Sequence, residues 1–187
     1  MALKNKLDLS KQYAIKQHKE QYRKNNKTPY WHHLQDVVKN LEMMGITDES
    51  ILCSGWLHDS IEDTSSDFDD VSKFFGKKIA QIVSDVTKET RLPKIQQERN
   101  YLKQLSESSW QSKVVKLGDI LANISDLKNS GFTKKEKIAH VKQKRKYLDT
   151  INSGIIMNQS KIPNLFQAEN LLNSVLEYYG QRKIKII

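Results

Sequence analysis

Residues 51–63 read ILCSGWLHDSIED, an apolar segment that ends in a cluster of ionisable side chains. Its apolar residues recur at helical spacing, which predicts a helix that runs through the whole segment. His58 and Glu62 are four residues apart, as are Asp59 and Asp63, so each pair is expected one helical turn apart. Burying several carboxylates at the end of an apolar helix is costly unless cations pair with them. A bound metal ion would be a compact solution.

The flanking sequence is also helical in pattern. Pro29 suits the first turn of a helix that would run through Leu41, and Asp48 is a typical N-cap for the segment that follows. Further apolar residues recur at helical spacing along the rest of the chain, and no alternating run with hairpin turns occurs. We therefore predict an all-α fold, and the length of 187 residues fits a single domain.

Two other helical segments carry polar residues that fit the same chemistry. His33 lies near the start of the preceding helix, and Asp119 and Asn123 lie one turn apart on a later one, beside Lys116 on its predicted polar side. Singly, each has an ordinary interpretation: a helix histidine, or a charge on a helix surface. Together with His58-Asp59 they form a set of histidines and aspartates that suits manganese, zinc, iron or cobalt.

The composition narrows the class of protein. Hydrophobic residues make up 37% and charged residues 28% of the chain, as in a globular domain. No apolar run is long enough to cross a membrane, and the opening MALKNKLDLSKQ lacks the apolar core of a signal peptide, so we expect a cytoplasmic protein. The single cysteine, Cys53, excludes an internal disulfide and a multi-cysteine zinc site. We interpret it as a buried thiol, with a nucleophile as the alternative.

The formal net charge of +9 favours anionic partners such as nucleic acid, acidic membranes or phosphorylated metabolites. Basic residues crowd one late segment, at Lys134, Lys135, Lys137, Lys142, Lys144, Arg145 and Lys146. This segment is either a solvated helix face or a surface for nucleic acid. No RNA-recognition motif or zinc-finger spacing supports the second interpretation. The sequence does not address the oligomeric state.

The order of several motifs resembles the hydrolase domain of the RelA/SpoT alarmone enzymes, and most of all its small stand-alone members. The matching stretches are QYRKNNKTPYWHHLQDV, GWLHDSIEDT, FGKKIAQIVSDVTK, RLPK and VVKLGDILANISDL. The resemblance covers residues from about 14 to about 147, so we expect a family-like core there and additional C-terminal helices over residues 148–187, within one domain spanning 1–187.

This resemblance implies an all-helical HD-domain bundle with one bound manganese ion. It implies that the metal ligands are His33, His58, Asp59 and Asp119. It further implies that Glu62 and Asp63 assist attack by water, and that Arg23, Lys24, Lys94 and Asn123 contact the substrate. The implied reaction removes pyrophosphate from the 3′ position of ppGpp and leaves GDP.

Three departures concern substrate choice more than metal binding. Leu34 stands where the family usually has a proline, the segment Ile120-Leu121-Ala122 lacks the usual basic residue and histidine, and the loop at residues 25–28 differs in composition. The base specificity therefore stays open. Alternatives are another phosphorylated nucleotide, such as ppApp, pApp or the 2′-phosphate of NADPH, and, outside enzymes, a basic nucleic-acid-binding module. A role as antidote to a toxic alarmone synthetase is compatible with the same site.

Overall fold

The computed structural model describes residues 5–186, which fold into helices joined by turns and loops, the longest at residues 18–30. The α-helices are α1 Lys6–Gln17, α2 Trp31–Met43, α3 Glu49–Leu57, α4 Ser60–Asp63, α5 Phe68–Phe75, α6 Lys77–Val86, α7 Lys94–Glu107, α8 Trp110–Ser125, α9 Lys134–Met157 and α10 Leu165–Tyr178. Short 3-10 helices at Asp126–Asn129 and Gln159–Lys161 precede α9 and α10. Within residues 5–186 no strand forms, and one isolated β-bridge pairs Tyr22 with Pro29. The all-α prediction is confirmed.

Helix α8 is the centre of the bundle. It packs against α2, α3, α6, α9 and α10, and its residues from Ser112 to Ala122 are all buried. The burial includes Lys116 and Asp119, which are only 8% and 4% exposed. The polar side predicted for α8 therefore faces the interior of the bundle and not solvent, because neighbouring helices surround α8 between Ser112 and Ala122.

Two glycines let α2 approach α3 and α8 closely. A Cβ atom on Gly55 of α3 would lie 2.8 Å from Cδ1 of Leu41, and one on Gly118 of α8 would lie 3.3 Å from the backbone oxygen of Val37. The amide of Asn40 also donates a hydrogen bond to the Gly118 carbonyl, at 3.1 Å. This packing brings the start of α2, the end of α3 and the middle of α8 to one place.

The helix predicted across residues 51–63 is interrupted. Helix α3 ends at Leu57 and α4 begins at Ser60, so His58 and Asp59 lie in a turn between them. Consecutive side chains of a regular helix point roughly 100° apart. Asp59 instead adopts φ −98° and ψ 0°, a conformation that recurs in turns and active sites. The continuous helix was a wrong prediction, and the break turns both side chains toward the same centre.

The last part of the chain continues the bundle. Helix α9 spans 24 residues, and its Tyr147, Leu148 and Ile151 are buried in the core. The expected boundary near residue 147 thus falls inside one helix, and the division into a family-like core and additional helices stays a prediction. Among residues 5–186, no helix is both long and apolar enough to cross a membrane.

Candidate metal centre

Three buried side chains, from α2, from the turn after α3 and from α8, meet at one point. His33 comes from the first turn of α2, His58 follows the end of α3, and Asp119 lies in the middle of α8. One ligand atom of each lies within 4.8 Å of the corresponding atoms of the other two, a spacing that could hold a metal ion. The three residues are 4%, 3% and 4% exposed.

Asp59 completes the group from the turn between α3 and α4. Its Oδ2 atom lies 3.0 Å from Nε2 of His58 and 3.6 Å from Nε2 of His33. The Oδ1 atom of Asp119 lies 3.3 Å from Nε2 of His33 and 3.8 Å from Nε2 of His58. The four residues that the sequence proposed as ligands are therefore together, with two imidazole nitrogens facing two carboxylates.

The hydrogen bonding of His58 shows that this arrangement suits a cation. Its Nδ1 lies 2.9 Å from the backbone carbonyl of Gly55, which can only accept, so Nδ1 carries the proton. Nε2 is then free to act as a ligand atom, and it has no well-oriented hydrogen-bond partner among residues 5–186. A histidine fixed in this way by a backbone carbonyl is the usual form of a metal ligand.

The local charges also favour a cation. Burial alone would lower the pKa of His58, but the nearby carboxylate of Asp59, with Asp119, outweighs burial and raises the pKa to about 9. Burial would raise the pKa of Asp119, but the charges of Lys116 and Lys144, together with the neighbouring histidines, hold it well below its usual value. Burial would likewise raise the pKa of Asp59, but His58 and His33 lower it. Both carboxylates therefore favour the ionised form, which stabilises a positive charge at Nε2 whether a proton or a metal supplies it.

Neighbouring side chains fix the two carboxylates. The Tyr30 hydroxyl donates a hydrogen bond to Oδ2 of Asp59 at 2.7 Å, and the Lys116 ammonium donates to Oδ2 of Asp119 at 2.8 Å. The amide of Asn123 donates to the backbone and side-chain oxygens of Asp119. Such outer contacts orient ligands and tune their basicity.

The acidic pair lies at the edge of this centre. Oε2 of Glu62 accepts a hydrogen bond from the backbone N–H of Lys88 at 2.7 Å, which anchors it to the segment after α6. Burial, together with the charge of Asp59, raises the pKa of Glu62 to about 7. Asp63 is more exposed, lies 3.4 Å from the Tyr30 hydroxyl, and also has a raised pKa because of partial burial and Asp59.

The proposed substrate residues are only partly brought together. Arg23, Lys24 and Asn123 line one small cavity beside the centre, together with Phe132 and His140. Arg23 forms an ion pair with Asp126 at 3.2 Å, and the Lys24 ammonium lies 4.5 Å from the centroid of the Phe132 ring. Lys94 is instead exposed at the first residue of α7 and is not among the residues that line this cavity.

Sequence reasoning missed two residues near the centre. Tyr30 precedes His33 by three residues, so it starts on the same side of α2, but an aromatic residue there also fits a core position. Lys144 was grouped with a basic surface segment. Its neighbours one turn away, His140 and Leu148, are a histidine and a buried leucine, and this spacing would have placed it on the inner face of α9.

Comparisons of this chain with a family model and with curated proteins agree on one family. Residues 10–145 match the model of an HD domain family. The chain is 32% identical over 166 residues to guanosine-3′,5′-bis(diphosphate) 3′-pyrophosphohydrolase MESH1 of Drosophila melanogaster, an alignment that covers 86% of this chain and 93% of that protein. It is 39% identical over 118 residues to the protein of the same name from Xenopus tropicalis, covering 62% and 66%.

A solved structure shares the whole fold. It is that of a metazoan ortholog of SpoT that hydrolyses ppGpp, with a TM-score of 0.82 and 29% sequence identity, covering 97% of this chain and 99% of that one. The similarity therefore includes α9 and α10, beyond the residues that match the family model.

Proposed function

This chain belongs to the HD domain family, and from that premise we propose that it is a metal-dependent hydrolase that releases the 3′-pyrophosphate of ppGpp or pppGpp. The observation that carries the proposal is the convergence of His33, His58, Asp59 and Asp119 at one buried point. The names of the relatives point to this substrate. They do not favour NADPH, an adenosine nucleotide or nucleic acid as the main ligand.

We propose that these four side chains hold one divalent metal ion, and that the ion is manganese. Two imidazoles and two carboxylates form a mixed donor set that suits a borderline divalent cation. When bound there, such an ion would lower the pKa of a water molecule and polarise a phosphoryl oxygen. The bonds from Tyr30 and Lys116 keep the two carboxylates in place before the substrate arrives.

The acidic pair is proposed to move the protons. Burial raises the pKa of Glu62 to about 7, toward the range in which a general acid or base is effective. Its backbone bond to Lys88 fixes the side chain, so the carboxyl group needs little reorganisation. Asp63 would orient the attacking water from the more exposed side.

The basic residues are proposed to bind the anionic substrate. Arg23 and Lys24 border the cavity that Asn123 also lines, and they would contact the nucleotide there. Lys94, exposed at the start of α7, would reach a phosphate only when the substrate is bound. Phosphoryl transfer depends mainly on positioning and on stabilisation of negative charge, and these residues supply both.

The test is a hydrolysis screen of the purified protein with manganese over ppGpp, pppGpp, ppApp, pApp and NADPH. We expect ppGpp and pppGpp to be turned over fastest, with GDP or GTP and pyrophosphate as products. The Asp119→Ala variant is the inactive control. Faster turnover of NADPH or of an adenosine nucleotide would contradict the proposed substrate, and full activity after EDTA treatment with no metal detected would contradict the proposed metal.

A further inference from the structure

Lys144 differs from the other basic residues of the late segment. Arg145 pairs with Asp149 at 2.9 Å, and Lys134, Lys135 and Lys142 are exposed. Lys144 is partly buried, and no ion pair or hydrogen bond of its ammonium group is described within residues 5–186. A lysine normally extends its ammonium into water, so this burial calls for a physical reason.

Its position on α9 directs Lys144 toward the metal centre. It lies between His140 and Leu148 at four-residue spacing, and α9 packs on α8 along this face. The ammonium is 5.6 Å from the centroid of the Tyr147 ring. It is also near enough to Asp119 and Asp59 for their charges to affect its pKa.

The charge of Lys144 is poorly compensated. Burial lowers its pKa to about 8, the charges of Asp119 and Asp59 oppose this, and those of Lys116 and Lys24 add to it. No ion pair or hydrogen bond between Lys144 and Asp119 is described within residues 5–186, whereas Lys116 donates to Oδ2 of Asp119 at 2.8 Å. A buried cation without an anionic partner is costly, and the cost is removed when an anion binds beside it.

Other cations lie on the same side of the centre. The charges of Lys24 and Lys116 both act on Lys144, and the charges of Lys144 and Lys24 both lower the pKa of His140. Positive groups from α8, α9 and the segment before α2 are therefore close enough to act on one another, and Lys24 and His140 line the small cavity that Asn123 also borders. Such a group of cations suits a ligand with several negative charges close together, as in a pyrophosphate group.

We propose that Lys144 binds an oxygen of the substrate pyrophosphate group that is cleaved at the metal centre. The inference rests on the proposed function for the identity of the substrate, and it adds a phosphate-binding residue from α9 to the residues expected from the motifs. When the pyrophosphate binds, its negative charge would compensate the positive charge of Lys144. The pyrophosphate would in turn gain a hydrogen bond from a charged donor.

The experiment compares Lys144→Met with Lys135→Met, an exposed lysine of the same helix that loses the same charge. The dissociation constant of inorganic pyrophosphate is measured by calorimetry on manganese-loaded protein, with metal content and circular dichroism as checks. We expect Lys144→Met to weaken pyrophosphate binding on the order of tenfold or more, the scale of a hydrogen bond to a charged group. Lys135→Met should bind like the wild type, and Lys144→Arg should retain more affinity than Lys144→Met.

Two further measurements keep the proposal testable. Lys144→Gln, which is neutral but polar, replaces Lys144→Met if the latter does not fold. In the wild type, pyrophosphate should protect Lys144 but not Lys135 from acetylation, as read by mass spectrometry. Unchanged pyrophosphate affinity in a folded neutral variant, or no protection of Lys144, would overturn the proposal. If Lys144→Met loses pyrophosphate affinity but the wild type does not hydrolyse ppGpp, the proposed function fails and the pyrophosphate contact stands.

Discussion

At the scale of single residues, substitutions of Glu62 and Asp63 distinguish a role in proton transfer from a role in metal binding. They lie beside the centre, where Glu62 accepts a hydrogen bond from the backbone of Lys88 and Asp63 lies near the Tyr30 hydroxyl, and neither forms an ion pair with His33 or His58 among the described residues. We predict that Glu62→Gln and Asp63→Asn keep both the fold and the metal, while turnover of ppGpp falls by about a hundredfold or more, as expected for loss of a general acid or base. Metal analysis and single-turnover rates provide the measurement.

Asp69→Asn, a change from carboxylate to amide on the exposed side of α5, is the matched control and should be fully active. Wild-type turnover in both Glu62→Gln and Asp63→Asn would mean that the acidic pair is structural. Loss of metal from either variant would instead mean that the ligand set is wrong.

Tyr30 gives a second prediction at this scale. Its hydroxyl donates to Oδ2 of Asp59, the same atom that lies 3.0 Å from Nε2 of His58. Tyr30→Phe removes this bond but keeps the ring, which stacks on His18 with 5.0 Å between centroids. We expect metal affinity to fall by about 10–100-fold, the usual effect of losing an outer contact to a ligand. Metal titration measures this, with exposed Tyr22→Phe as control, and equal affinities would refute the role of Tyr30.

How far the sequence predicts the site differs from residue to residue. The structure brings His33, His58, Asp59 and Asp119 to one place, and the sequence motifs had singled out all four. Their role as metal ligands stays a prediction. Tyr30 and Lys144 were missed, because their roles depend on which helix packs against which. The sequence patterns used here give the inner face of a helix but not the neighbour that this face meets.

At the scale of helices, the capping of α3 governs the element that carries His58. The carboxylate of Asp48 accepts hydrogen bonds from the backbone N–H groups of Ser50 at 2.7 Å and Ile51 at 3.1 Å, and it pairs with Lys78 at 3.3 Å. We predict that Asp48→Ala lowers the free energy of unfolding by about 1 kcal/mol, the typical value for an N-cap. Asp36→Ala, which removes an exposed carboxylate of α2 without a capping role, should cost less.

The effect of Asp48 should depend on pH. Partial burial would raise its pKa, but the bonds from Ile51 and Lys78 outweigh burial and lower it. A carboxylate with a lowered pKa stabilises the fold above its usual pKa, and this contribution is lost as the pH falls through the lowered value. The difference in unfolding free energy between wild type and Asp48→Ala should therefore shrink once the pH falls below the ordinary pKa of an aspartate, about 3.9. A difference that stays constant from neutral to acidic pH would show that the ionised cap is not responsible.

The interruption between α3 and α4 shows a limit of periodicity. The apolar spacing of residues 51–63 is helical on both sides of the break, so it predicted one continuous helix. The break falls at His58 and Asp59, where two adjacent side chains both face the centre. Periodicity indicates which residues are buried, but it does not indicate that two side chains adjacent in sequence face the same point. The N-cap at Asp48 could be predicted, because capping depends only on residues next to one another in the chain.

At the scale of the whole molecule, the centre connects parts of the chain that are far apart in sequence. Its side chains come from α2, from the turn between α3 and α4, and from α8, which has more buried residues than any other described helix. A metal ion held by all four would link these segments in the folded protein only. We therefore predict that manganese raises the melting temperature and that chelation lowers it, because a ligand that binds only the folded state stabilises it by about 2.7 kcal/mol at a hundred times its dissociation constant.

Asp119→Ala should abolish this stabilisation, because it removes the ligand that α8 contributes. The variant should also melt below the metal-free wild type, since Lys116 loses its partner at 2.8 Å and becomes a buried, uncompensated cation. Asp36→Ala, on the exposed side of α2, should keep the full response to manganese. Calorimetric melting curves with EDTA and with increasing manganese separate the two effects. A manganese response in Asp119→Ala as large as in the wild type would mean that the metal binds elsewhere, and no response in the wild type would mean that the four residues do not hold a metal across the bundle.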